Sequence, residues 1–236
     1  MKLDVEKLAK EYESKSAHDV LRWALETFKD RVAMANSFGA EDAVLTSIIA
    51  GINPRARIFT LDTGRLPPET YDVWQRLEDK YGIKIIPCFP EREAVEKMVT
   101  EHGPNLFYQS LDFRKLCCNI RKVEPLKRAL KGMDAWITGL RREQAVTRTA
   151  IGKIEIDPTQ GNIIKINPLA DWTEAQVWSY IKENQVPYNA LHDKNYPSIG
   201  CAPCTRAVKP GEDVRAGRWW WELPEYKECG LHAKAK

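Results

Sequence analysis

The chain has 236 residues, is 43 % apolar and carries a formal net charge of +3. That is enough for one large domain with a buried core, and too little positive charge to point to nucleic acid. Its longest apolar runs fall short of the roughly 18 to 20 residues that a membrane-spanning helix needs. The opening MKLDVEKLAKEYESK is charged throughout and lacks the apolar centre of a signal peptide. These features point to a cytoplasmic protein with neither a membrane nor a nucleic-acid partner. In that reducing compartment, paired cysteines read as metal-binding or catalytic rather than as disulfides.

Residues 5–30 place Val5, Leu8, Val20, Leu21, Ala24, Leu25 and Phe28 at helical spacing among charges. The pattern predicts two amphipathic helices, interrupted near Lys15–Ala17 and packed as a cover on the domain. RVAMANSF (31–38) is an apolar run of strand length, followed by a glycine turn and a helix from about Glu41. Strand, turn and helix in that order aim backbone N–H groups at an anion. The loop Ser37–Asp42 lacks the lysine of a P-loop and is no GxGxxG, so spacing alone leaves a phosphate site open.

IFTL supplies a second strand, Asp62-Thr63-Gly64 its turn, and Pro67–Pro68 open a helix where proline is tolerated. KIIPCF (84–89) reads as a third buried strand with Cys88 in the core, and EAVEKMVTEH as the next helix. Strands alternating with helices imply parallel βαβ units, hence an α/β fold. Ligands on such sheets bind outside the C-terminal strand ends, where the Ser37 loop and the Asp62–Arg65 turn fall. Residues 103–116 look irregular, and LCCNIRKVEPLKRALKG reads as a helix with a basic face.

AWITGL (135–140) is a further strand, and Arg141, Arg142 and Arg148 gather after it, where an anionic substrate would lie. A solvated charge run is the plainer alternative. KIEIDPTQGNIIKINPL reads as two short strands added antiparallel, and DWTEAQVWSYIKENQ as a helix capped by Asp171 or Thr173. Ala175, Val177, Trp178 and Ile181 form its buried side. Residues 187–236 are too short and irregular for a core of their own, and Trp219–Trp221 within them read as packing. The expected layout is one domain: a helical cover (1–30), an α/β core (31–186) and a C-terminal arm (187–236).

Cys117–Cys118 and the CxxC of Cys201 and Cys204 together suffice for a four-thiolate site. Such a set suits an iron–sulfur cluster or a structural zinc; core packing is the competing explanation. Adjacent residues on an ideal helix point about 100° apart, so Cys117 and Cys118 reaching one site requires a local distortion. Cys229 is left over, close to Lys227 and His232 in a terminal stretch of the kind that is poorly ordered unless tied down.

With these pieces assembled, the sequence resembles the assimilatory phosphoadenylyl/adenylyl-sulfate reductase family. The resemblance rests on SFGAEDAVL, LDTGRLPPETY, WITGLRREQAVTR, INPLADWTEAQVWSYI, VPYNALHDKNYPSIGCAPCTRAV, GEDVRAGRWWWE and KECGLH. The CC and CxxC pairs make it similar to the branch that acts on adenylyl sulfate (APS) and carries a 4Fe–4S cluster on Cys117, Cys118, Cys201 and Cys204. The resemblance implies a nucleotide alpha-hydrolase-like fold, a doubly wound and mostly parallel sheet with helices on both faces. It also implies reduction of APS to sulfite and AMP, with thioredoxin or a similar dithiol protein as reductant. The oligomeric state stays open, a homo-oligomer included.

Carried onto this chain, the resemblance makes Cys229 the nucleophile. A thiolate suits attack on an electrophilic sulfuryl sulfur, leaving an S-sulfocysteine and releasing AMP. Arginine forks suit sulfate and phosphate oxygens, and Arg215 and Arg218, with Arg141, Arg142 and Arg148, are the implied ligands of the phosphosulfate. Ser37, Phe38, Gly39, Leu61, Thr63, Gly64 and Gly139 would hold the nucleotide. Lys122 would bridge cluster and substrate, and Thr63 would also hydrogen-bond toward the cluster. Three rivals remain at this level: a reductase for the 3′-phosphorylated nucleotide (PAPS), a tRNA-thiolating enzyme on a related fold, and a four-cysteine zinc module without chemistry.

Overall fold

The computed structural model describes residues 3–145 and 148–223. Six strands form one sheet in the order β3-β2-β1-β4-β6-β5. They are β1 (Val32–Ala35), β2 (Arg57–Leu61), β3 (Ile85–Cys88), β4 (Ala135–Ile137), β5 (Ile154–Asp157) and β6 (Ile163–Ile166). β1 lies centrally, parallel to β2 with Ala33 opposite Arg57 and to β4 with Val32 opposite Ala135. From β1 the chain steps outward through β2 to β3, then crosses back to lay β4 on the other side of β1. The order reverses there, and in doubly wound sheets that crevice is where ligands bind.

Helices cover both faces because alternate residues of each strand point to opposite sides. Val32 and Met34 of β1 pack with α2 (Ala17–Phe28), α3 (Ala40–Ile52) and α8 (Glu174–Glu183), whereas Ala33, Phe59 and Trp136 pack with α7 (Glu124–Leu130). The remaining helices are α1 (Val5–Tyr12), α4 (Pro68–Tyr81), α5 (Arg92–His102) and α6 (Leu111–Cys118). Among the described residues no helix is long and apolar enough to cross a membrane.

Several sequence expectations change. β3 is an edge strand, with Ile86 43 % exposed and Phe89 beyond it 52 % exposed, and Pro87 within it is tolerated because an edge needs fewer donors. The stretch expected to be irregular holds α6, whose N-cap Ser110 accepts from the Phe113 N–H. β6 runs parallel to β4, and only β5 is antiparallel. On α8, Thr173 is the cap; Val177 and Ile181 are buried while Ala175 is exposed.

The N-terminal cover is held by ionic pins as well as apolar packing. Glu13, just after α1, pairs with Arg142 and accepts from the Lys153 N–H at 3.3 Å. The Lys153 side chain, 2 % exposed, reaches Asp171 at 2.7 Å and donates to the Lys15 carbonyl at 2.6 Å. Lys153→Met keeps the stem and removes these charge-assisted bonds, which are worth about 2 kcal/mol. In a chain of this length the melting temperature should fall by about 4–8 °C; a shift below about 1 °C would show that the cover does not depend on the pin.

Candidate active site

A cleft of about 960 Å³ opens at the reversal between β1 and β4. Its walls include Ser37 and Gly39 after β1, Leu61 at the end of β2, Thr138, Gly139 and Arg141 after β4, and Arg148. Lys122 closes one end, and Arg215 and Arg218 enter from the C-terminal arm. Ser37, Gly39, Leu61, Thr138, Gly139 and Arg141 meet here because the loops after the parallel strands β1, β2 and β4 leave the same edge of the sheet.

Asp42, in the first turn of α3, organises the loop after β1. Its Oδ2 accepts from the Ser37 N–H at 2.7 Å and the Ser37 hydroxyl at 2.6 Å. The Gly139 N–H also donates to this carboxylate, joining the loops on both sides of the switch point. A Cβ on Gly139 would lie 2.3 Å from Asp42 Oδ1, so only glycine fits. Burial pushes the Asp42 carboxyl up to about 6, and the bonds from Ser37 and Gly139 only partly offset it.

Beside the cleft is a smaller cavity lined by Cys117, Cys118, Cys201 and Cys204, with Arg65, Arg114, Arg121 and Lys122 around them. Lys122 lines both spaces. The helix departs from regular geometry just beyond the pair: α6 holds both Cys117 and Cys118, and the chain then continues as a π turn, Asn119–Val123, before α7. There the Glu124 N–H donates to the Asn119 carbonyl, the five-residue spacing of a π bulge, a feature frequent at functional sites. Arg121 and Lys122 of this turn line the thiol cavity with Cys117 and Cys118.

The thiols feel one another. Burial, then the Cys201 and Cys118 sulfurs, pushes the Cys204 thiol up to about 12, and burial also raises Cys117. Burial works against ionisation of Cys201 too, yet Lys122, the Thr63 hydroxyl at 3.3 Å, Arg218 and Arg121 together hold its pKa below the usual thiol value. Several thiolates in one dry cavity need added positive charge, which coordinated metal supplies. Trp219 Nε1 is buried without a hydrogen-bond partner and packs in the same apolar group as Cys117 and Cys204; the Arg121 Nε on the cavity wall is likewise unpaired. Among the described residues no three His, Cys, Asp or Glu side chains are arranged to hold a single ion.

The arm is folded against this cavity. The Ala202 N–H donates to the Arg65 carbonyl at 2.8 Å and the Trp219 N–H to the Cys204 carbonyl at 3.2 Å. Trp219 has φ +40°, which costs energy for a bulky residue and persists only where the surroundings hold it. Arg218 crosses over Gly200 so closely that a Cβ there would lie 2.3 Å from its Nη2. Arg114 forks onto Glu222 at 2.9 and 2.8 Å, both side chains nearly fully buried.

The structure thus gathers the four paired cysteines at one cavity, and Ser37, Gly39, Leu61, Lys122, Gly139, Arg141, Arg148, Arg215 and Arg218 around the cleft. Four expected nucleotide or phosphosulfate residues do not line that cleft, Thr63 among them, although its bond toward the cysteines was expected. Phe38 is buried in the core and stacks on Trp74. Thr63 turns to Cys201, and Gly64 lies beside Arg121. Arg142 serves the N-terminal cover through Glu13 and the Ile151 carbonyl. Arg141 borders the cleft but is bound to Glu41 at 2.8 Å and to Glu143. Cys229, with Lys227 and His232, lies outside the described residues. Sequence reasoning missed the roles of Asp42, Arg114, Arg121 and Glu222. The only signal was positional: Asp42 is in the helix's first turn and Arg114 lies one helical turn before the CC pair.

Residues 31–207 match the phosphoadenosine phosphosulfate reductase domain family. The chain is 55 % identical over 205 residues to the adenosine 5′-phosphosulfate reductase of Allochromatium vinosum, covering 87 % of this chain and 80 % of that protein. To the protein of the same name from Burkholderia cepacia it is 55 % identical over 203 residues, covering 86 % and 81 %. Among solved structures it is similar to the phosphoadenylyl-sulfate (PAPS) reductase of Candida auris in its phosphate complex. That likeness has a TM-score of 0.75 and 34 % identity, over 88 % of this chain and 99 % of that one.

The Asp42 geometry has a pH signature. Its folded pKa stands above the unfolded 3.8, so its contribution to stability is full below the unfolded value and lost as pH rises through about 6. Asp42→Asn carries no such dependence. From pH 5 to pH 8 the stability of the Asn protein relative to wild type should move in its favour by about 1 kcal/mol, measured by urea unfolding. A gap that stays constant with pH would show that the carboxyl titrates at its ordinary value.

Proposed function

The chain belongs to the phosphoadenosine phosphosulfate reductase domain family, and from that premise we propose that it reduces APS to sulfite and AMP in sulfate assimilation, with thioredoxin or a similar dithiol protein as electron donor. The observation that carries this reading is Lys122, common to the walls of the arginine-bearing cleft and of the four-thiol cavity. A nucleotide cleft joined by one ammonium to a ring of thiols is an arrangement that neither a zinc module nor a plain nucleotide binder requires.

Cys117, Cys118, Cys201 and Cys204 are the proposed ligands of one 4Fe–4S cluster, as their donor set fits. The unpaired Trp219 Nε1 and the Thr63 hydroxyl are donors of the kind that tune such groups. Bound there, the cluster would supply fixed electrostatics at the end of the cleft, because the two electrons arrive as a dithiol.

The protein's own groups perform the steps. Adenosine lies along the Ser37–Gly39 loop, Leu61 and Gly139. Arg148, Arg215, Arg218 and Lys122 receive the phosphosulfate, with charge-assisted bonds that strengthen as the leaving phosphate gains charge. The Cys229 thiolate attacks sulfur; an S–S bond forms, the S–O bond to phosphate breaks, and AMP leaves with the electron pair. One thiolate of the dithiol partner then attacks the Cys229 sulfur and expels sulfite. The second thiol resolves the mixed disulfide, so the partner is oxidised by two electrons and Cys229 is restored.

Serine at any of the four paired cysteines should remove visible absorbance and bound iron together. A variant retaining both would exclude that residue from the ligand set, and a colourless, zinc-loaded wild type would exclude the cluster. Comparing rates with APS and PAPS separates the proposed substrate from its 3′-phosphorylated relative.

Cys229→Ser should keep its iron and still bind APS, yet form no sulfite, because a hydroxyl is far less ionised than a thiol near neutral pH. Wild type mixed with APS and no reductant should release about one AMP per site and stop, gaining the mass of one SO₃ on the C-terminal peptide. Adding thioredoxin should discharge that mass as sulfite. Sulfite formed by the serine variant, or an adduct on Cys88, would end this mechanism.

A further inference from the structure

Arg114 is 2 % exposed and lies on α6, three residues before Cys117. Its fork on Glu222 neutralises it, and its guanidinium carbon sits 4.7 Å from the centre of the Trp219 ring. The Arg218 guanidinium lies over the same indole, also at 4.7 Å. The two cations differ in what balances them. Among the described residues, Arg218 has no carboxylate partner and hydrogen-bonds only weakly, to the Ser198 hydroxyl at 3.4 Å and the Ile199 carbonyl at 3.2 Å. Its charge is therefore available to an anion in the cleft, while its direction is set by the indole and by Gly200 beneath it.

Trp219 in turn needs holding. Its positive φ is unfavourable, and the turn it begins is closed by the Glu222 N–H donating to its carbonyl at 2.8 Å. Arg114 grips both ends of that turn, the ring at one end and the carboxylate at the other. A planar guanidinium can stack and fork at once, which an ammonium cannot.

We infer that Arg114 is a positioning residue that fixes Trp219, and through it the Arg218 guanidinium, so that the arm's anion contact is set by the helix carrying Cys117 and Cys118. This rests on the reading of Arg218 as a phosphosulfate ligand. Helix α6 thereby serves the cleft as well as the thiol cavity, although Arg114 itself does not line the cleft.

The test is APS affinity in the full-length Cys229→Ser protein, where binding is read without turnover. Arg114→Lys keeps a cation opposite Glu222 but loses the stack and the fork. It should retain iron and visible absorbance and weaken APS binding about tenfold, the scale of a desolvated cation–π contact. In an Arg218→Ala background the same substitution should change affinity less than about twofold, because the group it positions is gone. Undiminished affinity in Arg114→Lys, or the full loss persisting without Arg218, would overturn the inference, and so would loss of the visible band. Arg218→Ala with unchanged APS affinity would overturn both this inference and the reading it rests on. If Arg114→Lys does not fold, the uncharged pair Arg114→Gln/Glu222→Gln is measured in both backgrounds with the same criteria.

Discussion

The four-thiol cavity exists only when two segments meet across the whole of β4, β5, β6 and α8. One half comes from the end of α6, the other from the CxxC of the arm, and neither encloses anything alone. The Arg114–Glu222 fork ties α6 to the arm, and the Ala202 N–H, donating to the Arg65 carbonyl, fixes the CxxC beside the turn after β2. Just beyond Cys118 the helix widens into the π turn that carries Arg121 and Lys122, both on the cavity wall.

Buried charge is then arranged by whether it has been answered. Arg114 is matched by Glu222, Arg141 by Glu41, and Lys153 by Asp171. Removing one member of such a pair leaves the other uncompensated in a dry environment, so these pairs hold the scaffold in register. Arg218 is buried without a carboxylate among the described residues, in the cleft where a phosphosulfate would supply the missing negative charge. Asp42 is the reverse case: its carboxylate is satisfied by N–H and hydroxyl donors from the two loops that it joins.

The periodic parts of the fold were legible. Two helices broken before Ala17, the strands β1, β2 and β4, the glycine turn before α3 and the helix capped near Thr173 all follow from spacing and cap chemistry. Periodicity did not reveal that β3 is an edge or that β6 joins the sheet parallel, because both depend on which strands become neighbours. It also missed the first turns of α6, because the eight-residue run LDFRKLCC is too short to display a period, and its burial comes from Phe107, Trp219 and the arm.

At the site, residue type and motif spacing raised the candidate chemistry: paired thiols that suit a metal group, arginines after strand ends that suit an anion, and a leftover cysteine that suits covalent attack. Those choices follow from the intrinsic reactivity and charge of the side chains, which the chain carries whether folded or not. Only the tertiary structure decided which of them face the cleft. Arg142 and Arg148 look alike in RREQAVTR, yet one reaches back to Glu13 and the other borders the cleft, because direction depends on the neighbouring elements. The same holds for Arg114 and Arg218, which stand far apart in the chain until Trp219 brings both guanidiniums over one ring.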